Sequence, residues 1–415
     1  MKKLLALALA LSLLASLALT GAALAEEKVK LRMVYWNNET TMQAFLDLVK
    51  EKLPHIDLEY QFIPVSDLDG IVNTQLQAGE GPDVLCNGND AAAVRAGYLL
   101  ALDDQEFIKN YSEGSVNDLR VDGKIYGVPG LGWYEGMFYN TEIFERYGLT
   151  PPKTFDELMN IHKVLKENGV KPQAMGANSW EPMMKSTLGL AVCDWLKKTE
   201  EGMQFDLTIR DGSGKFEGSA LKGIIENWSR YITEGYLTPD MLEVSYDNAL
   251  TEFAKGEAAM WESGPWAVQA LQETNPDLKF DMFPFVGTEE GESWLIGGSG
   301  VTFGVNASSK HTKEALEVLA LMATPEGQKA LYAGQPGSSS YLKGIELDLP
   351  EYYASAADAL SGNRIYCPWF VWGTANSAYI ETYGKGLQEY LQGAKDIDTI
   401  LREVDEKVAA EHAMQ

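Results

Sequence analysis

The stretch that most constrains this chain runs from Tyr126 to Gly169, YGVPGLGWYEGMFYNTEIFERYGLTPPKTFDELMNIHKVLKENG. It reads as a strand broken by a glycine-rich bend at Gly130 and Gly132, restarting as two helices with clear ends. Asn140 can cap the first, because its side-chain oxygen reaches the free N–H groups of the opening turn. Gly148 can close it in the left-handed conformation that costs other residues a steric penalty. Thr154 and Glu157 form an S/T-x-x-E capping box, with Pro152 just outside. Phe155, Leu158, Ile161 and Leu165 follow at helical spacing and Gly169 ends the run. A chain that bends and at once starts a fresh helical layer is passing from one folding unit to another.

Upstream, KLRMVYW is a strand ending at Trp36, Asn37 and Asn38 supply caps, and Met42, Phe45, Leu46 and Val49 mark one helical face that stops at Pro54. IDLEYQF alternates Ile56, Leu58, Tyr60 and Phe62 with polar residues, a period-2 strand. Ser66 and Asp69 suggest a capped helix carrying Leu68, Ile71, Val72 and Leu76 to Gly79, and GPDVLC is a third strand. This alternation predicts a parallel sheet with right-handed crossovers, whose ligands bind beyond the carboxyl ends of the strands. Trp36, Asn37, Asn38 and the loop from Asn87 to Asp90 therefore share a rim. Downstream the chain is mainly helical, with segments at Leu190–Leu196 and at Leu221–Ile232, the latter burying Ile224, Ile225 and Trp228. The loop GANSWEP presents Asn178, Trp180 and Glu181.

Met1 to Ala25 reads as a secretory signal: Lys2 and Lys3, an apolar run, and Ala23-Leu24-Ala25 before Glu26. Leu19-Thr20-Gly21 opens a lipoprotein box, but Ala22 stands where the lipidated cysteine would be, so a released, extracytoplasmic protein is expected. Removing the leader takes two lysines and no acids from a chain of formal charge −26. An acid excess of this size repels nucleic acid and anionic membrane surfaces, while leaving a basic docking partner open. About 390 residues then remain, more than one core usually serves. Cys86, Cys193 and Cys367 have no metal-ligand spacing; a Cys193–Cys367 bridge is open, and three free buried thiols are expected. His55, His162, His311 and His412 stand alone among polar residues, and surface positions are expected for all four.

The string MFYNTEIFERYGLTPPKTFDEL resembles the crossover segment of family 1 extracellular solute-binding proteins, the receptors of bacterial ABC importers. Met137, Phe138, Tyr139, Asn140, Phe144, Gly148, Pro151, Pro152 and Thr154 carry the match; Arg146 departs from the polar or acidic residue usual there. NALTEFAKGEAAMWESGPW resembles a second hallmark through Phe253, Gly256, Ala259, Met260, Gly264 and Trp266. WLIGGSGVTFGVN resembles the return crossing. KEALEVLALMATPEGQKALY supplies two helices with Thr324 capping Pro325, and the chain crosses again near Gly337 to Tyr341. EYLQGAKDIDTILREVDEKVAAE resembles the terminal helix pair. The resemblance implies an α/β, two-lobe periplasmic-binding-protein-like fold with a ligand cleft between lobes and a hinge of several chain crossings. One lobe would hold residues 26–133 and 297–338, the other 134–296 and 339–415. It also implies a monomer that delivers its ligand to membrane permease subunits, with no cofactor and no catalysis.

Ten tryptophans are about twice the usual share. Trp195 and Trp228 lie on amphipathic helices and read as core. Trp36, Trp133, Trp180, Trp266, Trp294, Trp369 and Trp372 fall in loops or beside Gly, Pro, Ser and Asn, where indole faces can stack on the C–H side of a sugar ring. Roughly half are expected to touch ligand, the rest to pack under loops. Asn37, Asp90, Glu135, Glu181 and Glu262 are the polar candidates, since amides and carboxylates bind vicinal hydroxyls. Gly298, in the run Gly297-Gly298-Ser299-Gly300, joins them at a hinge. A mono- or oligosaccharide is the expected ligand, captured by hinged closure. A receptor for polyamines or another cation is the alternative. Glycoside hydrolases also pair tryptophans with carboxylates, but no eight strand–helix units, nucleophile elbow or His cluster is present.

Overall fold

The computed structural model describes residues 28–413, apart from residues 89, 118, 299–301 and 373–377. The leader and Ala22 lie outside the described residues, as do Ser299 and Gly300 of the expected hinge. β1 (Val29–Tyr35) stops before Trp36, and the Asn38 side chain accepts the Thr41 N–H to open α1 (Glu39–Lys52). β2 (Ile56–Phe62) and then α2 (Val65–Gln77) follow. Pro64, not a side-chain cap, precedes α2; the Asp69 carboxylate instead accepts from Asn87 Nδ2 at 3.0 Å. β3 (Val84–Cys86), α3 (Ala91–Arg95) and β4 (Gly127–Pro129) complete the first pass.

β5 (Leu131–Asn140) then begins the second unit. Asn140 accepts the Ile143 N–H at 3.0 Å to start α4 (Thr141–Arg146), and Gly148 sits at φ +65° beyond its end. Thr154 Oγ1 accepts from the Glu157 N–H at 3.2 Å to start α5 (Phe155–Glu167). The expected capping box is offset, because Glu157 reaches back to the Lys153 N–H at 2.7 Å. Next come β6 (Lys171–Ala174), α6 (Glu181–Ala191), α7 (Glu200–Asp211), α8 (Leu221–Trp228) and α9 (Tyr246–Ala254). β7 (Ala258–Ser263), α10 (Val268–Thr274), β8 (Phe280–Phe283) and β9 (Leu295–Gly298) follow. β10 (Thr302–Val305), α11 (Thr312–Met322) and α12 (Pro325–Gly334) return to the first unit. The chain ends with β11 (Ser339–Ser340), β12 (Ile365–Tyr366), α13 (Pro368–Val371), α14 (Ala378–Leu391) and α15 (Ile397–Ala413).

The first sheet has the order β2-β1-β3-β10-β4, with β1 parallel to both β2 and β3. Leu31, Met33, Phe45, Val84, Phe303 and Val318 form its core. The second sheet has the order β12-β9-β5-β7-β6, with β8 and β11 also pairing to β5. Its two faces bury separate cores. One collects Met137, Leu188, Trp195, Trp228 and Leu401 under α5, α6, α8, α14 and α15. The other collects Tyr134, Phe138, Phe253, Trp261 and Leu271 under α9 and α10.

Gly297 and Gly298 hydrogen-bond within the second sheet, so the return crossing falls after them rather than before. The last crossing is also later than residue 338. Leu342 is buried in the first core and bridges Tyr111, and the Ser112 N–H donates to the Tyr341 carbonyl at 2.8 Å. His162 corrects the surface expectation. It is fully buried on α5, its Nδ1 2.8 Å from the Leu158 carbonyl and its Nε2 3.2 Å from Gln173 Oε1. The three cysteines are buried and unbridged, and Cys193 donates to the Phe285 carbonyl at 3.3 Å. Among the described residues no helix is long and apolar enough to cross a membrane.

Gly334 ends α12 against α1, where a Cβ would lie 1.8 Å from the Thr41 carbonyl oxygen. Backbone cannot yield as a side chain can, so Gly334→Ala should destabilise the protein by about 1–3 kcal/mol through overpacking. Urea denaturation should show a lower midpoint at an unchanged slope; an unmoved midpoint would refute the tight crossing.

Candidate ligand-binding site

The site grows from the alternation along β5. Successive side chains of a strand face opposite ways, so Trp133, Glu135 and Met137 share a face while Tyr134 and Phe138 point into the opposite core. Register adds neighbours: Glu262 of β7 lies opposite Met137, and Gly298 of β9 opposite Trp133. Ring centroids of Trp266 and Trp369 both lie 6.3 Å from that of Trp133, and Phe370 packs edge-on at 5.9 Å. Two glycines make this cluster possible. A Cβ on Gly264 would come within 2.3 Å of the Trp266 ring, and one on Gly298 within 3.1 Å of the Phe370 ring. Trp266 is half-buried, and its Nε1 donates to Tyr246 Oη at 3.0 Å, which fixes the ring's edge. The result is an aromatic wall where the chain enters the second lobe, with Trp133 and Trp266 half-buried and Trp369 buried against them at 5% exposure.

Beside the wall lies a charged floor. Lys185, on α6, reaches Glu135 Oε1 at 2.7 Å and Glu181 Oε2 at 3.5 Å. Burial pushes the Lys185 ammonium pKa down, but Glu135, Glu181 and Glu262 outweigh it and hold the group well above its ordinary value. Burial raises the Glu135 carboxyl, an effect Lys185 partly offsets. Glu262 is 9% exposed, and neither of its carboxyl oxygens has a hydrogen-bond partner. Burial, then the charge of Glu135, pushes it well above the ordinary carboxylate range.

The other expected residues are distributed differently. Trp36 and Asn37 stand on the first lobe at the end of β1; Trp36 packs on Tyr35 at 5.0 Å, and the buried Asn37 Nδ2 has no partner. Asp90 spends one carboxyl oxygen capping α3, accepting from the Ala93 N–H at 2.9 Å. Trp180 rests against Gly384 of α14, beside Glu181. Trp294 lies apart from the wall, under the Lys197 ammonium and 6.4 Å from Tyr366. Trp372 is a correction: it is buried in the core, with Nε1 donating to Asp206 Oδ1 at 2.7 Å, and has no face left for a ligand. Sequence reasoning passed over Lys185, Tyr246 and Phe370. The i, i+4 spacing of Glu181 and Lys185 was the available signal for the first. Across the lobes, Thr41 Oγ1 of α1 lies 3.5 Å from Gln269 Oε1 of α10, the helix that follows Trp266.

The sequence pattern of the bacterial extracellular solute-binding protein family matches residues 36–329. The chain belongs to this family. Among curated relatives of this solute-binding protein, the multiple sugar-binding protein of Streptococcus mutans is 25% identical over 333 residues, 78% of this chain and 77% of the relative. The melibiose/raffinose/stachyose-binding protein MelE of Bacillus subtilis is 23% identical over 349 residues, 77% of this chain and 76% of that one. Among solved structures, RafE in complex with raffinose superposes with a TM-score of 0.77 at 21% identity, covering 92% of this chain and 99% of that chain. A chitin oligosaccharide binding protein gives the same score and identity, covering 93% and 100%. The solute-binding protein thus has the two-lobe α/β fold of its family.

Glu262 makes a pH signature. Its folded-state pKa is raised above the ordinary 4.5, so its stabilising contribution is complete below that value and is lost as pH rises through the folded value. Unliganded wild-type protein should therefore lose stability, relative to Glu262→Gln, as pH rises above about 4.5. Parallel urea titrations at several pH values check this; two curves that run parallel across the range would overturn the raised Glu262 pKa.

Proposed function

We propose that this protein is the receptor of an ABC importer, capturing a mono- or oligosaccharide between its lobes and handing it to membrane permease subunits. The carrying observation is the Trp133–Trp266–Trp369 wall standing beside the Glu135–Lys185–Glu262 floor. A pyranose has an apolar C–H face for indole rings and a hydroxyl edge for carboxylates. Glu262 supplies acceptors without a partner, and Asn37 Nδ2 supplies a donor on the first lobe. The relatives named for sugars support the same class of ligand. A cationic solute fits less well, because Lys185 already stands among the carboxylates. The same ammonium ties up Glu135, which suits recognition rather than acid–base chemistry. Closure would turn on the glycine-bearing crossing at Gly130–Gly132 and on the return crossing that follows β9, the first lobe swinging over the wall. The protein acts as a monomer outside the cytoplasm, and its leader would be cut after Ala25.

A thermal-shift panel of raffinose, stachyose, chitin and xylan oligosaccharides against spermidine tests the ligand class. A sugar should raise the melting temperature, and a response to spermidine alone would sink the proposal. For the sugar that binds, Trp266→Ala should weaken affinity by about 1–3 kcal/mol, the scale of aromatic stacking, with little change in unliganded melting. Calorimetric titration beside thermal melts reads both; unchanged affinity with a collapsed melting point would make Trp266 a packing residue. Small-angle scattering should show a smaller radius of gyration with sugar bound, and an unchanged radius at saturation would count against closure.

A further inference from the structure

We infer that Asp206 is a positioning residue of the aromatic wall, holding both ends of the single helical turn that carries Trp369 and Phe370. The inference rests on the reading of that wall as the ligand-facing surface. Asp206 sits on α7, is 4% exposed, and is not itself part of the wall. Its two oxygens are shared between two partners: Oδ1 accepts from Trp372 Nε1 at 2.7 Å, and Oδ2 accepts the Tyr366 hydroxyl. Tyr366 precedes α13 and Trp372 follows it. One carboxylate therefore pins the chain immediately before and after the residues that meet Trp133.

The turn needs such a tie. α13 has four residues, too few to hold a helical conformation by its own hydrogen bonds. β12 is anchored to β9 by two residues only. Around Asp206 the partners are themselves locked. Phe205 and Phe216 pack edge-on against Trp372 at 6.1 and 5.2 Å, and the Lys197 ammonium lies 4.4 Å from the centre of the Tyr366 ring. With its ends fixed, the turn presents Trp369 and Phe370 to Trp133 before any ligand arrives. Rings ordered in advance cost a ligand less conformational entropy on binding.

The residue's chemistry separates this role from general packing. Asparagine at 206 can still accept from Trp372 and offer its amide N–H to the Tyr366 oxygen, whereas alanine can do neither. Fluorine NMR of unliganded protein labelled with 5-fluorotryptophan, with signals assigned by single Trp→Phe variants, reads the wall directly. Asp206→Ala should shift and broaden the Trp369 and Trp133 signals while leaving Trp36 and Trp228 in place. Asp206→Asn should hold all four near their wild-type positions. Tyr366→Phe, which removes one tie and keeps the ring, should move Trp369 by a lesser amount and serves if the alanine variant does not fold. The inference is overturned if Trp369 and Trp133 stay put when either tie is removed. It is overturned equally if Asp206→Asn moves them as far as alanine does, or if Trp36 and Trp228 move alongside them. No ligand is used, so this outcome is independent of whether Trp266→Ala weakens sugar binding.

Discussion

Four strands pair with β5, and the molecule depends on that pairing. A strand so used has no free edge along most of its length, and its two faces must satisfy different neighbours at every second residue. Tyr134 and Phe138 commit one face to the α9–α10 core, which leaves Trp133, Glu135 and Met137 no choice but the other. A shift of register by one residue would exchange the faces, burying Trp133 and Glu135 in an apolar core and exposing Phe138. The position of the wall and floor is therefore a consequence of sheet pairing as much as of local loop geometry. The same strand also starts where the chain leaves the first lobe, so the binding surface and the hinge share a backbone.

The floor is held at some energetic cost. Two of the three carboxyl groups around the Lys185 ammonium, Glu135 and Glu262, are buried, and removing charges from water is unfavourable unless each is paired. Lys185 neutralises Glu135 at short range and leans toward Glu181. Burial pushes the Glu262 carboxyl toward its protonated form, and its oxygens lack partners. A packed, apolar arrangement of the same volume would be the more stable one. That this surface keeps an unsatisfied acid next to the half-buried indoles of Trp133 and Trp266 is what separates a binding floor from a core.

Much of the frame was legible in the residues. Asn38, Asn140, Thr154 and Thr324 cap the helices expected of them, and Gly79, Gly148 and Gly169 take the left-handed conformation beyond helix ends. These are local signals, set by side-chain oxygen reach and by the absence of a Cβ. What depends on distant partners was not legible. Trp369 and Trp372 look alike and open to a ligand in the string PWFVW, yet both are buried, Trp372 tied by the carboxylate of Asp206, far away in sequence. His162 reads as a polar position on α5, yet Gln173 of the adjoining strand gives its inner nitrogen a partner. Lys185 looks like one charge on a helix until β5 and β7 bring Glu135 and Glu262 beneath it. Leu342 is claimed by the first core through a bridge to Tyr111, a partner that no local signal in its own stretch reveals.

The three buried thiols carry a practical consequence. The thiolate is the reactive form of cysteine, and burial pushes Cys193 up to about 12 and holds Cys86 and Cys367 above their ordinary value. At neutral pH none offers an accessible nucleophile to an alkylating dye. A cysteine introduced at an exposed rim position such as Glu39, the first residue of α1, would then be the one that labels. The native background is chemically silent, so a single fluorophore on the first lobe can follow lobe movement in real time without any native cysteine being replaced.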